Sequence, residues 1–253
     1  MAKNQSMILY RIKRKIINIL KKQFHLVEKS SISIDAYRRK KLQLYCGINK
    51  ILDVGANSGQ YALEQINDLH YQGSIISFEP MKEPFQQLLE KSNKFTSWDV
   101  VNIGLGLKKE SKHINVAQNS YSSSLLEMLP SHLNNAPQSQ YIDQEEIQLD
   151  TLSNVYHTHC NKSDNVFLKI DTQGYEYQIL KGGLEILSNI KIIQLEMSLI
   201  PLYAGETTFE DMKNYLSDKH FKLVSIEPGF YSEKTGQLLQ MDGIFINTKL
   251  VKL

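Results

Sequence analysis

Two stretches of this chain carry residue types at spacings that suit chemistry. In the first, Asp53-Val-Gly55-Ala-Asn57-Ser-Gly59 begins within the strand-like run Ile51–Val54, which the Gly-rich Gly55–Gly59 follows. Gly55 and Gly59 lack a Cβ, so the backbone can turn tightly from strand to helix and let a ligand approach it closely. The N–H groups of the helix that follows can hold a carboxylate or phosphate. Asp53 can accept hydrogen bonds from a ligand amine or order the loop. In the second stretch, Glu79-Pro80 closes another apolar run, Ser74–Phe78, 26 residues after Asp53. A carboxylate at that place suits a bidentate bond to a ribose diol. A lone Gly-x-x-x-Gly is often a mere turn; paired with Glu79 it points to a nucleoside site.

The loop also narrows the nucleoside. A dinucleotide fingerprint needs G-x-G-x-x-G, and Ala56 and Asn57 break that glycine spacing. A P-loop needs a longer span ending in Gly-Lys-Ser/Thr, which Gly55–Gly59 lacks. A nucleoside with an amino-acid tail and no phosphate fits better, and S-adenosylmethionine is that molecule. The competing readings are a nicotinamide-dependent oxidoreductase with a degenerate loop and a non-catalytic cofactor-binding subunit.

These residues need elements that bring them together. Short apolar runs alternate with helical patterns: strands at 51–54, 74–78, 100–103, 166–170, 192–196, 222–226 and 243–247, with helices near 61–66 and over 82–92, 175–188 and 208–219. Such alternation predicts a mostly parallel, doubly wound sheet. The last two runs, separated by a loop over 227–242, predict a hairpin and so an antiparallel strand. Ligands of open α/β sheets bind beyond the carboxyl ends of the strands. The residues standing there are the 53–59 loop, Glu79, Asn102, Asp171 and Glu196. Residues 111–150, rich in Ser, Asn and Gln, read as an excursion with a short hairpin and a loop over the site.

The 253 residues suit one α/β domain with an appendage. Cys46 and Cys160 form neither a disulfide framework nor a zinc pattern, and a reducing cytoplasm is the expected compartment. The net charge of +2 is uneven. Residues 1–41 hold twelve Lys/Arg and two Asp/Glu, leaving 17 basic and 25 acidic residues elsewhere, or +10 against −8. Ile8, Ile12, Ile16 and Leu20 recur at i+4 beside Lys13, Arg14, Lys21 and Lys22, the pattern of a basic amphipathic helix. Such a helix docks on the domain or contacts an anionic membrane surface. The domain boundary falls at 48/49: a basic helical extension over 1–48, a cofactor-binding domain over 49–253. The acidic remainder argues against nucleic acid.

The segments LDVGANSGQYAL, SFEP, VNIGLG, SSSLL, LDTL, LKIDTQGYE and MDGIF resemble the FkbM family of S-adenosylmethionine-dependent methyltransferases over about residues 50–248. The pair of DVGANSG with KIDTQGYE is the most specific part. The resemblance implies a Rossmann-like class I methyltransferase fold and an O-methyltransferase acting on a sugar, glycan or small metabolite. It implies that Asp53, Gly55, Asn57 and Gly59 hold the methionine end and that Glu79, with Pro80 beside it, holds the ribose. The Asn102–Gly104 turn would sit near the adenine. Ser122–Ser124 would form a lid, with Ser123 against the cofactor, and Tyr203 would line the acceptor pocket.

An alcohol acceptor loses its proton on methylation, so a base within hydrogen-bond reach is useful. Asp171 is the leading candidate. Lys169, two residues earlier on the same strand face, can tune it, and Glu196 and Glu176 stand behind it. Many relatives carry glutamate where this chain has Gln173, and an amide is no proton acceptor. His113, His157 and His159 read as surface residues. Asp171 with a second carboxylate could hold magnesium, but no ligand spacing demands it and no metal is expected.

Overall fold

The computed structural model describes residues 33–252; the run of Ile8, Ile12, Ile16 and Leu20 lies outside them. Helix α1 (Ile34–Cys46) starts where Ser33 caps the Ala36 N–H at 3.1 Å. It stops at Gly47, whose φ of 62° is the left-handed C-cap glycine favours. Strand β1 (Lys50–Val54) leads into α2 (Gln60–Leu63) and a π-helical turn over Glu64–Asp68. Next come β2 (Ser74–Phe78), α3 (Lys82–Ser92), β3 (Trp98–Val101), β4 (Gly104–Gly106) and β5 (Glu110–Ala117). The short helix α4 (Pro130–Leu133) precedes β6 (Tyr141–Thr151) and α5 (Leu152–His159). Strand β7 (Val166–Ile170), α6 (Glu176–Gly182), β8 (Ile190–Ser198), α7 (Phe209–Asp218), β9 (Phe221–Pro228) and β10 (Gln240–Asn247) complete the order.

The main sheet has seven strands in the order β3-β2-β1-β7-β8-β10-β9. All its pairs are parallel except those of β10, which runs antiparallel to both β8 and β9. The sheet is the doubly wound one expected, with the expected hairpin at its end. Alternation along each strand divides two cores. Leu52, Val54, Leu168 and Ile170 pack on one side beneath α5, α6 and α7. Ile51, Ile75, Phe167 and Ile244 pack on the other, with Cys46 of α1, Ala62 and Leu88. The sheet reverses its winding between β1 and β7, and that switch point is where ligands of such folds bind.

Several boundaries differ from the sequence reading. Strand β3 begins at Trp98, not at Val100, because Trp98 is buried and its indole N–H donates to Ser77 Oγ at 3.0 Å. The predicted helix 175–188 stops at Gly182. A Cβ there would lie 2.1 Å from the Gly106 carbonyl, so this end of α6 presses on β4. The excursion is no short hairpin. Strands β5 and β6, eight and eleven residues long, pair antiparallel, and β4 joins them in a three-stranded sheet. Its inner face offers Met81, Ile114, Ile147 and Leu149 one small core; polar residues between them hid the strands in the sequence. Among the described residues, no helix is long and apolar enough to cross a membrane.

Candidate active site

A cavity of about 270 Å³ opens at the switch point. The ends of β1, β2 and β7 form its floor, and the three-stranded sheet forms one wall. Gly55, Asn57, Glu79, Pro80, Gly104, Ser123, Asp171 and Glu196 all line it. Asp53, Gly59, Asn102 and Lys169 do not, so the structure places these four predicted site residues behind the lining.

Each of the four has a visible task. Gly59 has φ 86°, and a Cβ on it would lie 2.7 Å from the Trp98 ring; the residue serves packing. Exposed Asn102 donates from Nδ2 to the carbonyls of Glu79 (2.9 Å) and Pro80 (3.0 Å), fixing the turn that carries the acid. Asp53 is fully buried and accepts from Ser77 Oγ at 2.9 Å. Lys169 stands between Asp53 and Asp171, its Nζ 3.6 Å from Asp53 Oδ1 and 3.2 Å from Asp171 Oδ2. Burial alone would push this ammonium down, but Asp171 and Asp53 outweigh it and hold its pKa above the usual lysine value. Lys169 is thus the cation that keeps an acidic floor together.

The glycine turn departs from expectation in one respect. Its backbone N–H groups are engaged within the protein. Those of Gly55 and Ala56 donate to the Phe78 carbonyl, Asn57 donates to Glu79 Oε2, Ser58 to Asn57 Oδ1, and Gly59 to the Ala56 carbonyl. The turn is therefore locked onto the end of β2 and has none of these donors to spare for a ligand carboxylate. Gly55 remains essential for another reason. With φ 78°, its missing Cβ leaves room for the Asp171 carbonyl, which lies 1.9 Å from where that atom would stand.

Glu79 ties the two loops together. Its Oε2 accepts from the Asn57 N–H at 2.8 Å and its Oε1 from the Met81 N–H at 2.9 Å. Burial pushes its carboxyl up to about 7, against the pull of those two N–H groups. Each oxygen keeps a second lone-pair direction for a ligand hydroxyl.

Beyond β7 the chain passes through the left-handed region. Gln173 has φ 55° and Gly174 φ 94°. A left-handed glutamine is uncommon, and such strain concentrates at functional sites. The conformation sends the Gln173 amide inward. Its Nε2 donates to Asp171 Oδ1 at 3.0 Å and Glu196 Oε2 at 2.7 Å, while its Oε1 accepts from the Tyr203 hydroxyl at 2.8 Å. Its own carbonyl accepts from Ser124 Oγ at 2.7 Å. Glu176 supports the turn from below: Oε1 accepts from the Thr172 N–H, the Thr172 hydroxyl and the Gly174 N–H. Burial pushes the Glu176 carboxyl up to about 7. Glu196 is raised well above the usual range, by burial first and then by the charges of Asp171 and Asp242. Asp242, raised by its own burial to about 6, accepts from Gln194 Nε2 and was not singled out in the sequence. Nor was Gln240, which donates to Glu196 Oε2 at 3.0 Å. Their signal was available: both stand at or beside the start of MDGIF, in a strand-end position.

The histidines fall outside this cavity's lining. His113 and His157 are exposed, whereas His159 is half-buried and packs edge-on against Phe78. Among the described residues, no group of three His, Cys, Asp or Glu side chains is placed to hold a metal ion.

The sequence pattern of the Methyltransferase FkbM domain matches residues 53–223, more than half of the chain. The chain belongs to the FkbM methyltransferase family. No curated protein sequence matches it. Three solved structures are among those it is similar to. The FkbM methyltransferase from Methylobacillus flagellatus is 16% identical with a TM-score of 0.49, the match covering 78% of this chain and 43% of that one. A candidate tRNA methyltransferase from Streptococcus pneumoniae, in complex with S-adenosyl-L-methionine, is 15% identical with a TM-score of 0.45, covering 85% and 73%. An rRNA methylase from Streptococcus thermophilus is 5% identical with a TM-score of 0.44, covering 82% and 93%. This FkbM-family chain thus spans less than half the length of its Methylobacillus counterpart, and nothing is carried over from these three.

The family is one of methyltransferases whose methyl donor is S-adenosylmethionine. The residues present fit that cofactor. Glu79 offers a buried carboxylate with free lone pairs, Met81, Ile147 and Leu149 offer apolar wall, and Gly104 lets that wall close up, since a Cβ there would lie 2.7 Å from Leu149.

Proposed function

We propose that the chain methylates a hydroxyl oxygen of a sugar, glycan or small metabolite, with Asp171 as the base. The observation that supports this most is the position of Asp171. It lines the cavity with one oxygen against the Lys169 ammonium and the other against the Gln173 amide. A carboxylate held so is aimed rather than free to rotate, and alignment of reacting groups can contribute about 7–11 kcal/mol.

When bound, S-adenosylmethionine supplies an activated methyl group. In this reading Glu79 holds the ribose hydroxyls and Gly104, Pro80 and Ser123 bound the adenine end. Gly55 and Asn57 border the amino-acid end, while Asp53, Gly59 and Asn102 shape the loops from behind. Asp171 takes the proton of the acceptor hydroxyl. Glu196, which keeps its own proton to higher pH than an ordinary carboxyl, orients that hydroxyl. Gln173 bridges the two acids, so the amide orders the base instead of acting as one. Lys169 is a positioning residue.

Substitution of Asp171 by Asn tests the assignment. Turnover, read as S-adenosylhomocysteine formed with a panel of sugar acceptors, is expected to fall about 10²–10⁴-fold. Calorimetric affinity for S-adenosylmethionine should stay within a few-fold, and NAD should not bind. Equal turnover in both proteins removes Asp171 from the mechanism.

A further inference from the structure

A second chamber adjoins the first. Its volume is about 220 Å³, far above the ~10–15 Å³ that one water needs. Tyr121, Gln173 and Glu196 line both chambers, so these three residues form the seam between them. A molecule in the second chamber therefore meets the first at the two side chains that hold and flank Asp171.

The remaining lining of this chamber has a definite chemistry. Asn119, Ser122 and Ser139 make a hydroxyl–amide triad: Asn119 Nδ2 donates to Ser122 Oγ at 3.1 Å and Ser139 Oγ at 3.0 Å, and the two hydroxyls lie 3.0 Å apart. Gln138 and Gln240 add amides, and Phe230 with Tyr121 adds aromatic surface. Among the described residues, none that lines the chamber is Lys or Arg. Phosphate and carboxylate are recognised by such cations or by backbone N–H clusters, and this lining offers no such cation. Glu196 at the seam repels a negative group further. Neutral donors and acceptors beside aromatic faces suit hydroxyls on an uncharged carbon ring.

His132, on α4, is the feature that the fold alone does not explain. Its ring lines the chamber, is 3% exposed, and packs against Tyr203 at 5.2 Å and Phe230 at 5.3 Å. Among the described residues, its Nδ1 has no hydrogen-bond partner. A buried polar atom left unpaired destabilises the protein and calls for a reason. Burial pushes the imidazole down to about 4, so it meets a ligand neutral, with one N–H and one lone pair.

We propose that this chamber is the acceptor subsite, that it takes an uncharged polyhydroxylated group, and that His132 is a specificity-determining residue within it. The inference rests on the methyltransferase reading of the first chamber. Sugar phosphates and other anionic acceptors are thereby excluded from the subsite, unless their charge stays outside it. His132 and the Asn119–Ser122–Ser139 triad read the hydroxyl pattern, and Glu196 receives the hydroxyl that faces the seam.

Saturation-transfer NMR on the full chain with S-adenosylhomocysteine present tests this. The probes are methyl α- and β-hexopyranosides against the matching hexose 6-phosphates. Glycosides are expected to give signal and phosphates at least fivefold less. Gln138→Trp, at an exposed position on the chamber, and His132→Leu should each reduce the glycoside signal at least fivefold. Calorimetric affinity for S-adenosylhomocysteine should stay within twofold, and the melting temperature of His132→Leu should not fall. Should His132→Leu not fold, Gln138→Trp carries the test. Preference for the phosphates, or undiminished glycoside signal in Gln138→Trp, overturns the proposal. S-adenosylhomocysteine binding without any glycoside signal overturns it alone. Failure of the wild-type chain to bind S-adenosylhomocysteine overturns the reading beneath it as well.

Discussion

Replacing Glu176 by Gln should make the unliganded protein more stable in alkaline solution than in acid, relative to the wild-type chain. The carboxyl is 4% exposed, and burial raises it from 4.5 to about 7. Below pH 4.5 it is protonated in both folded and unfolded chains and imposes no penalty. As pH rises, the unfolded chain ionises first while the folded chain still holds the proton, so folded stability falls through the window from 4.5 to about 7. Each pH unit of separation is worth about 1.4 kcal/mol, which makes the full loss about 3 kcal/mol. About 2.5 kcal/mol of it falls between pH 5 and pH 8. Glutamine does not titrate. Its Oε1 can still accept from Thr172 and Gly174, and any unpaired amide N–H costs about 1–3 kcal/mol at every pH. That constant penalty cancels when the variant-minus-wild-type difference is compared at two pH values. Urea unfolding at pH 5 and pH 8 measures the difference. A change near zero between the two, or one of opposite sign, refutes the claim that a buried, proton-retaining acid supports the Gln173 turn.

Two further outcomes follow from the same geometry. Glu79→Ala removes the acceptor for the Asn57 and Met81 N–H groups together with the proposed ribose contact. Hydrogen bonds to a charged group are worth about 1.5–3 kcal/mol, so S-adenosylmethionine affinity measured by calorimetry should drop at least tenfold; an unchanged Kd refutes the ribose assignment. Arg39 of α1 is 6% exposed and grips Glu227 through two hydrogen bonds and Glu64 through a third. Arg39→Ala should therefore destabilise the fold by about 3–5 kcal/mol in chemical denaturation, the effect of stranding buried charge, and a loss under 1 kcal/mol would show that water screens the pair.

The parts of the fold that were legible in the sequence are those where one physical cause dominates. Ser74–Phe78, Lys82–Ser92 and Val166–Ile170 fall where their apolar patterns put them, because those strands are buried on both faces and that helix on one. Strand β6 was not legible. Its Glu146 and Gln148 point to solvent, half-buried Glu145 puts a charge on the inner face where it accepts from the Lys82 N–H, and only Ile147 and Leu149 betray that face. At the site, strand-end logic reached Glu79, Asp171 and Glu196, since topology alone delivers them to one edge. It could not separate the residues that line the cavity from those one layer behind, such as Asp53 and Lys169. Alternation across the sheet turns those two toward the opposite core, and that depends on register, which no motif displays. Gln173 was noticed for its residue type and not for its conformation, because a left-handed glutamine is imposed by its surroundings.

The close approach of Gly55 to the Asp171 carbonyl has a consequence for traffic through the pocket. Two neighbouring strand ends that leave no room for a methyl group between them are packed backbone to backbone, so this part of the cavity floor is expected to move as one plate. Passage of a nucleoside then depends on the opposite rim. There Ser124 is fastened to the plate at the Gln173 carbonyl, and Tyr121 at the Gln60 side chain, 3.1 Å away. Those two latches, one buried and one at the surface, are where the rate of entry and departure would be set.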